Sequence, residues 1–460
     1  MPEYKDLDQH IVLNNVAADR GNGQAKSIWV SSLSNFSVQY NFAVIAIALK
    51  IMDEIYPQTD WIKSLLKGVV FAGAITGQLV MGYVGDVIGR NKAMSFTIAL
   101  AGIGSLASAF CAWGSTYAVY GIIAASRFIL GVGVGGVYPL SATKAAEESA
   151  TTNLQARNLR VAKAFFWQMP GAIFPYVMAL VCVFALPTPQ WQFRMLFALG
   201  SIPTFVILYG TMNESDSAEF NDGARTSTLE LLKDRQNWVK LVATGGCWMI
   251  YDIVYYGTSL FSPTIVDQIF KGENDVVQES WQNIVVNSAG IPAVIIGILM
   301  QQRFGTKSLQ VLGFIFIGVS FYLLAGLYNP LRNSPEVVFS LYILLLFALN
   351  WGPNITTFIL PAEVYPPKVR STMNGISAAL GKFGAIIGTF IYQPIYDAFG
   401  MPTLMAVAGS IAMIGAILSY FTVHSMTQEQ ADAIAAARKS RESYERVAYK
   451  KEKDIGEQAT

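Results

Sequence analysis

The chain is 460 residues long, 53% hydrophobic and 14% charged, with a formal net charge of +1. Soluble domains carry roughly 25% charged residues, so a water-soluble globule would have to hide most of this apolar surface, and so balanced a charge gives no field for nucleic acid. Two histidines and the scattered Cys111, Cys182 and Cys247 argue against a histidine metal centre, a catalytic triad or a disulfide framework.

A membrane-crossing helix needs about 20 mainly apolar residues. The pattern predicts twelve such spans, at approximately 27–50, 61–85, 93–113, 115–137, 158–185, 191–212, 237–266, 281–301, 309–328, 337–360, 371–395 and 402–423. They group as six, a polar stretch, and six more. The expected fold is all-α, a polytopic membrane protein of two six-helix bundles. Its parts are an N-terminal tail over 1–26, a bundle over 27–212, a linker over 213–236, a bundle over 237–424 and a tail over 425–460. Arg90, Lys92, Lys144, Arg157, Arg160, Lys163, Arg303, Lys307, Lys368 and Arg370 fall in connectors on one side, whereas those near 113–116 and 186–190 carry no charge. Positive connectors stay inside, so both termini are expected in the cytoplasm. The polar, acidic start Met1–His10 is unlike a cleavable signal peptide.

After the second span the chain reads Gly82-Tyr-Val-Gly-Asp86-Val-Ile-Gly89-Arg90-Asn-Lys92. Glycines let two helices approach across a short turn, which can bring Asp86 to a helix N-terminus or an arginine on the inner face. Gln302-Arg303-Phe-Gly305-Thr-Lys307 echoes this at the matching place in the second half. Two copies of one pattern favour an internal repeat of the transporter kind. In the seventh span Trp248, Asp252 and Tyr256 are four apart and share one helical face. Asn354 precedes one later apolar stretch and Lys382 lies within another. Ionisable groups inside a membrane are expensive and mark functional pathways. Taken singly, the aromatics also suit an interface, Asn354 could serve backbone freed by Pro353, and Lys382 could snorkel. Two opposite charges in hydrocarbon are best explained as partners, and ammonium, amide, indole and phenol donors suit a tetrahedral oxyanion. No P-loop, metal cluster or nucleophile–base pair is present in the sequence, so neither an enzyme nor an ATP-driven pump is expected, and no cofactor.

The hairpin pattern on a six-plus-six chain resembles the major facilitator superfamily. Arg127-Phe-Ile-Leu-Gly-Val-Gly-Val-Gly-Gly136-Val-Tyr138-Pro resembles the fourth-helix signature of its phosphate:proton symporters. So does Leu349-Asn-Trp-Gly-Pro-Asn354 through Pro361-Ala-Glu363-Val-Tyr-Pro366, Arg370 and Lys382. The resemblance implies a central phosphate site at Tyr138, Gln168, Trp248, Asp252, Tyr256, Asn354 and Lys382. It also implies proton coupling through Asp252 and Arg127, and an inner latch of Asp86, Arg90 and Glu147. The family pattern has an aspartate where this chain has Val137, and acids in the first helix where it has Val38 and Asn41. Valine cannot accept the hydrogen carried by phosphate, nor link proton to anion. Any proton linkage is therefore expected in the second half, with weaker discrimination between phosphate and sulfate.

The expected function is secondary active transport of inorganic phosphate or a related small anion, coupled to protons or to sodium, across a lipid bilayer, the plasma membrane first of all. Two alternatives remain open at this point. One is a facilitator or sodium-coupled carrier of an organophosphate, sulfate or sugar, since Pro361–Pro366 also resembles sugar porters. The other is a transporter-like nutrient receptor.

Overall fold

The computed structural model describes residues 3–57, 59–147, 154–212, 235–269, 275–331, 333–365 and 369–423, with no strand among them. Nine continuous helical segments are long and apolar enough to cross a membrane. Two of them are helical pairs folded back at a glycine: Gly290–Leu327 turns at Gly305 (φ 79°, ψ 165°) and Arg370–Thr422 turns at Gly400 (φ 79°, ψ 176°). With the helix through Cys247–Ile269, twelve spans result, six on either side of the residues between Met212 and Arg235.

The first span is Ile28–Asp53, close to the 27–50 read from hydropathy, and its helix continues back to Glu3. No proline interrupts residues 3–56, and without one nothing local ends the hydrogen-bond ladder. The expected linker lies outside the described residues as far as 234, as do Lys368 and the tail from 425. The second span is Asp60–Ile88, the third Arg90–Phe110 and the fourth Thr116–Glu147. The fifth joins Leu154–Phe166 to Gln168–Ala185, and the sixth joins Pro189–Leu199 to Ser201–Met212. The seventh begins at Arg235 and passes through one π-helical turn, Val242–Gly246. The eighth joins Val276–Ser288 to the stretch before Gly305, and the ninth follows that glycine. The tenth joins Pro335–Asn350 to Pro353–Val364, and the eleventh and twelfth flank Gly400.

Gly89, between the second and third spans, has φ 102° and ψ 155°, the conformation that Gly305 repeats between the eighth and ninth. The sequence echo is therefore a backbone echo. An L side chain is disfavoured at positive φ, which explains glycine at both turns.

Burial is inverted relative to a soluble protein. Phe184 is 80% exposed and Phe421 70%, whereas Arg127, Asp252 and Lys382 are buried. Outward apolar side chains meet lipid, and the polar groups face the interior.

Candidate functional site

The seventh and eleventh spans pack through glycines. A Cβ at Gly384 or Gly388 would run into the carbonyl oxygens of Met249 or Ile253, and one at Gly381 would press on the Trp248 indole. Small residues one turn apart let two backbones come this close. The approach sets Lys382 opposite Asp252. Lys382 Nζ donates to Asp252 Oδ2 at 3.0 Å and to the Tyr256 hydroxyl at 2.9 Å. Trp248 lies one turn before Asp252 on the same helical face.

The first bundle closes the other side of the ammonium. Nζ lies 4.3 Å from the Tyr256 ring centre, 5.3 Å from that of Tyr138 and 5.7 Å from that of Phe42. Phe42 and Tyr138 belong to the first and fourth spans, so the charge sits where the two halves meet, inside an aromatic box that attracts cations. Tyr138 donates to Gln168 Oε1 at 3.5 Å, and Gln168 donates to Asn35 Oδ1 at 2.8 Å. Val137 and Val38 are buried. Nothing in the sequence singles out Asn35 as the partner of Gln168; its only signal is an amide in an apolar span.

Asn354 follows a break in the tenth span, where Gly352 takes φ 75°. Its amide donates to Asn350 Oδ1 at 3.1 Å. One turn later Phe358 packs its ring 6.1 Å from that of Tyr138. Arg127 stands apart. It lies eleven residues before Tyr138 on the same helix, roughly 16 Å along the axis, and it donates to the Asn41 carbonyl at 2.6 Å. Among the described residues no three His, Cys, Asp or Glu side chains gather as a metal-binding group.

A second polar cluster joins the halves at the Gly89 end. Arg90 contacts Asp86 at 2.7 Å and Glu147 at 3.0 Å, and Glu147 reaches Arg370 of the second half at 3.3 Å. Asp86 accepts from the Thr372 backbone N–H at 2.7 Å and from its hydroxyl. Glu363 accepts from Asn158 at 2.9 Å and from Thr306 at 2.8 Å. Asp86, Arg90 and Glu147 were candidates from sequence, whereas Arg370, Thr372, Asn158 and Glu363 were not. At the opposite end Lys50 and Glu279 form a partly exposed pair at 3.9 Å, again across the halves. Both ends are thus bridged.

The arrangement offers an ammonium, two phenols, an indole and an amide around one point, with a carboxylate already on the ammonium. An oxyanion could take up these donors if the carboxylate yielded.

Residues 31–389 match the family model of the Major Facilitator Superfamily. The chain is 40% identical over 414 residues to "Inorganic phosphate transporter PT2" of Toxoplasma gondii, covering 88% of this chain and 74% of that protein. It is 26% identical over 443 residues to "Inorganic phosphate transporter 1-11" of Oryza sativa subsp. japonica, covering 80% and 79%. Among solved structures, the proton:xylose symporter XylE bound to 6-bromo-6-deoxy-D-glucose superposes with a TM-score of 0.74 at 17% identity, over 90% of this chain and 99% of that one.

Proposed function

Because the chain belongs to the Major Facilitator Superfamily, we propose that it is a secondary transporter that carries inorganic phosphate past the Lys382–Asp252 pair. The observation that carries this reading is the buried ammonium of Lys382, held between Asp252 and Tyr256 at the meeting of the two halves. A fully enclosed cation needs an anion. In the present arrangement Asp252 is that anion, and a tetrahedral oxyanion is the natural competitor. Tyr138, Gln168, Trp248 and Tyr256 complete its donors, and Asn354 borders the site. The relatives named as phosphate transporters support the choice of anion.

Asp252 is the coupling group of this reading. A proton on it frees Lys382 for the incoming anion, and loss of that proton recaptures the lysine and expels the anion. The halves rock about this midplane site, with the Asp86–Arg90–Glu147 cluster closing the cytoplasmic side. Both termini lie in the cytoplasm, by the charge of the connectors, and the plasma membrane is the proposed location. Val137, Val38 and Asn41, at positions where acids would couple protons in the first half, favour a second reading in which the carrier equilibrates its anion with little proton drive.

The test is uptake of labelled phosphate and sulfate into proteoliposomes at several pH values, with and without sodium, for the native protein and Asp252→Asn. Sulfate keeps its charge over the range, so its pH dependence belongs to the protein. The native protein should take up both anions faster as external pH falls. The Asn variant should exchange anion without concentrating it and without responding to pH. Full pH-dependent, concentrative uptake by Asp252→Asn would refute the coupling, and no uptake of either anion by the native protein would refute the substrate.

A further inference from the structure

Besides Arg90 of the inner cluster, Arg127 and Arg194 are buried in the first bundle, and the fold treats these two differently. Arg194 donates to the carbonyls of Ala109 and Ala112 and stacks 3.7 Å from the Trp113 ring. Its donors are spent on backbone at a helix end, as a structural arginine's are. Arg127 is fully buried. Its Nη2 meets the Asn41 carbonyl at 2.6 Å, and its guanidinium carbon lies 5.3 Å from the Phe197 ring centre. Nε and Nη1, both enclosed, have no hydrogen-bond acceptor among the described residues.

Among the described residues, the groups around Arg127 bring no negative charge to balance it. The ionisable side chain acting on it there is Tyr40, whose hydroxyl already donates to the Leu196 carbonyl at 2.7 Å. The Asn41 amide is given to the carbonyls of Ser37 and Gly200, and Ser105 donates to the Phe197 carbonyl at 2.6 Å. These partners are neutral. A guanidinium does not lose its proton in a protein, so the cost of burying its charge cannot be avoided by neutralisation, as it can for lysine. Asp252, the buried acid of the central site, already holds Lys382. The enclosed charges of the two sites leave one positive charge over.

We infer that Arg127 forms a second anion site, separate from the Lys382–Asp252 site, that takes a small inorganic anion through Nε and Nη1. The anion supplies the negative charge that a side-chain carboxylate would otherwise bring. Asn41 is the place for such a carboxylate, because its own carbonyl already holds the guanidinium. The occupant is either a solution anion of chloride type or the transported anion itself. Both are compact anions that accept hydrogen bonds from a guanidinium.

The experiment measures the thermal unfolding midpoint of the full-length protein in detergent, in sodium chloride, sodium phosphate or sodium gluconate at equal ionic strength. Four proteins are compared: native, Arg127→Gln, Asn41→Asp, and Asp252→Asn/Lys382→Met. The last removes both charges of the central pair and so leaves no lone charge behind. Chloride or phosphate should raise the native midpoint by several degrees over gluconate, with saturation. The rise should persist in the double variant. It should vanish in Asn41→Asp, whose midpoint in gluconate should already match the native one with anion. Should Arg127→Gln fail to fold, Asn41→Asp decides alone. A response to phosphate but not chloride in the double variant supports the site with the transported anion as occupant. Equal native midpoints in all three salts, an undiminished response in Asn41→Asp, or loss of the response in the double variant would each overturn the inference. None of these outcomes bears on whether phosphate is transported, which the uptake assay decides separately.

Discussion

Glu147 is the hinge pin of the cluster at the Gly89 end, and its replacement by glutamine should open that end. The carboxylate is fully enclosed and bridges Arg90 at 3.0 Å and Arg370 at 3.3 Å. Arg90 belongs to the same half and keeps Asp86 and the Gly85 carbonyl after the change. The loss across the halves therefore falls on Arg370, which keeps the Tyr365 carbonyl. A hydrogen bond to a charged group contributes about 1.5–3 kcal/mol. The gross attraction is larger, about 5 kcal/mol at this distance with an effective dielectric near 20, but opening returns Arg370 to water. A net 1.5–3 kcal/mol shifts the open-to-closed ratio at this end roughly 10- to 150-fold. Spin labels at Lys92→Cys and Ser308→Cys, one on each half, measure the separation in reconstituted protein. The exposed Cys111 is replaced first, and Cys182 and Cys247 are buried. The Glu147→Gln distribution should move to longer distances. If it coincides with that of the native protein, the cluster does not hold the halves together and the reasoning fails.

Two further substitutions probe the frame. At Gly305 (φ 79°, ψ 165°) an added Cβ meets nothing within 4 Å, so Gly305→Ala carries only the backbone penalty of about 1–3 kcal/mol. It should lower the thermal midpoint and leave anion affinity as it was; an unchanged midpoint would contradict the positive-φ argument. The second and eleventh spans touch through Gly82 and Gly375, where a Cβ on Gly82 would lie 2.7 Å from the Ser371 carbonyl oxygen. Gly375→Leu should wedge these spans apart, overpacking by about 1–3 kcal/mol, and make a cysteine at the buried Ser371 reactive to a water-soluble maleimide. A cysteine there that stays unreactive would show that the wedge is absorbed elsewhere.

The twelve spans could be read from the sequence because lipid imposes one long apolar stretch per crossing. The paired turns at Gly89 and Gly305 were readable because both need glycine at positive φ. Contact between Asp252 and Lys382, 130 residues apart in the chain, followed from the cost of leaving either charge alone. The partners across the halves were not legible. Asn158 with Glu363 and Asp86 with Thr372 are separated by 205 and 286 residues, and helical periodicity gives each residue a face without saying which helix that face will meet. The amide chain through Gln168 and Asn35 escaped notice for the same reason. The first span's start near residue 27 was legible, whereas the helix behind it was not, because hydropathy marks where lipid begins and the hydrogen-bond ladder stops only where something breaks it.

The eleventh span begins at Arg370 with no capping side chain from the residue before it. Its unsatisfied first-turn amide at Thr372 is completed by Asp86, which lies on the other half of the molecule. A helix that borrows its first stitch from a moving neighbour unravels there whenever the neighbour leaves. Each excursion away from closure should loosen residues 371–373, giving back chain entropy that offsets part of the bonding lost. Deuterium uptake at those amides would then act as a built-in clock of the transport cycle, readable without any attached probe.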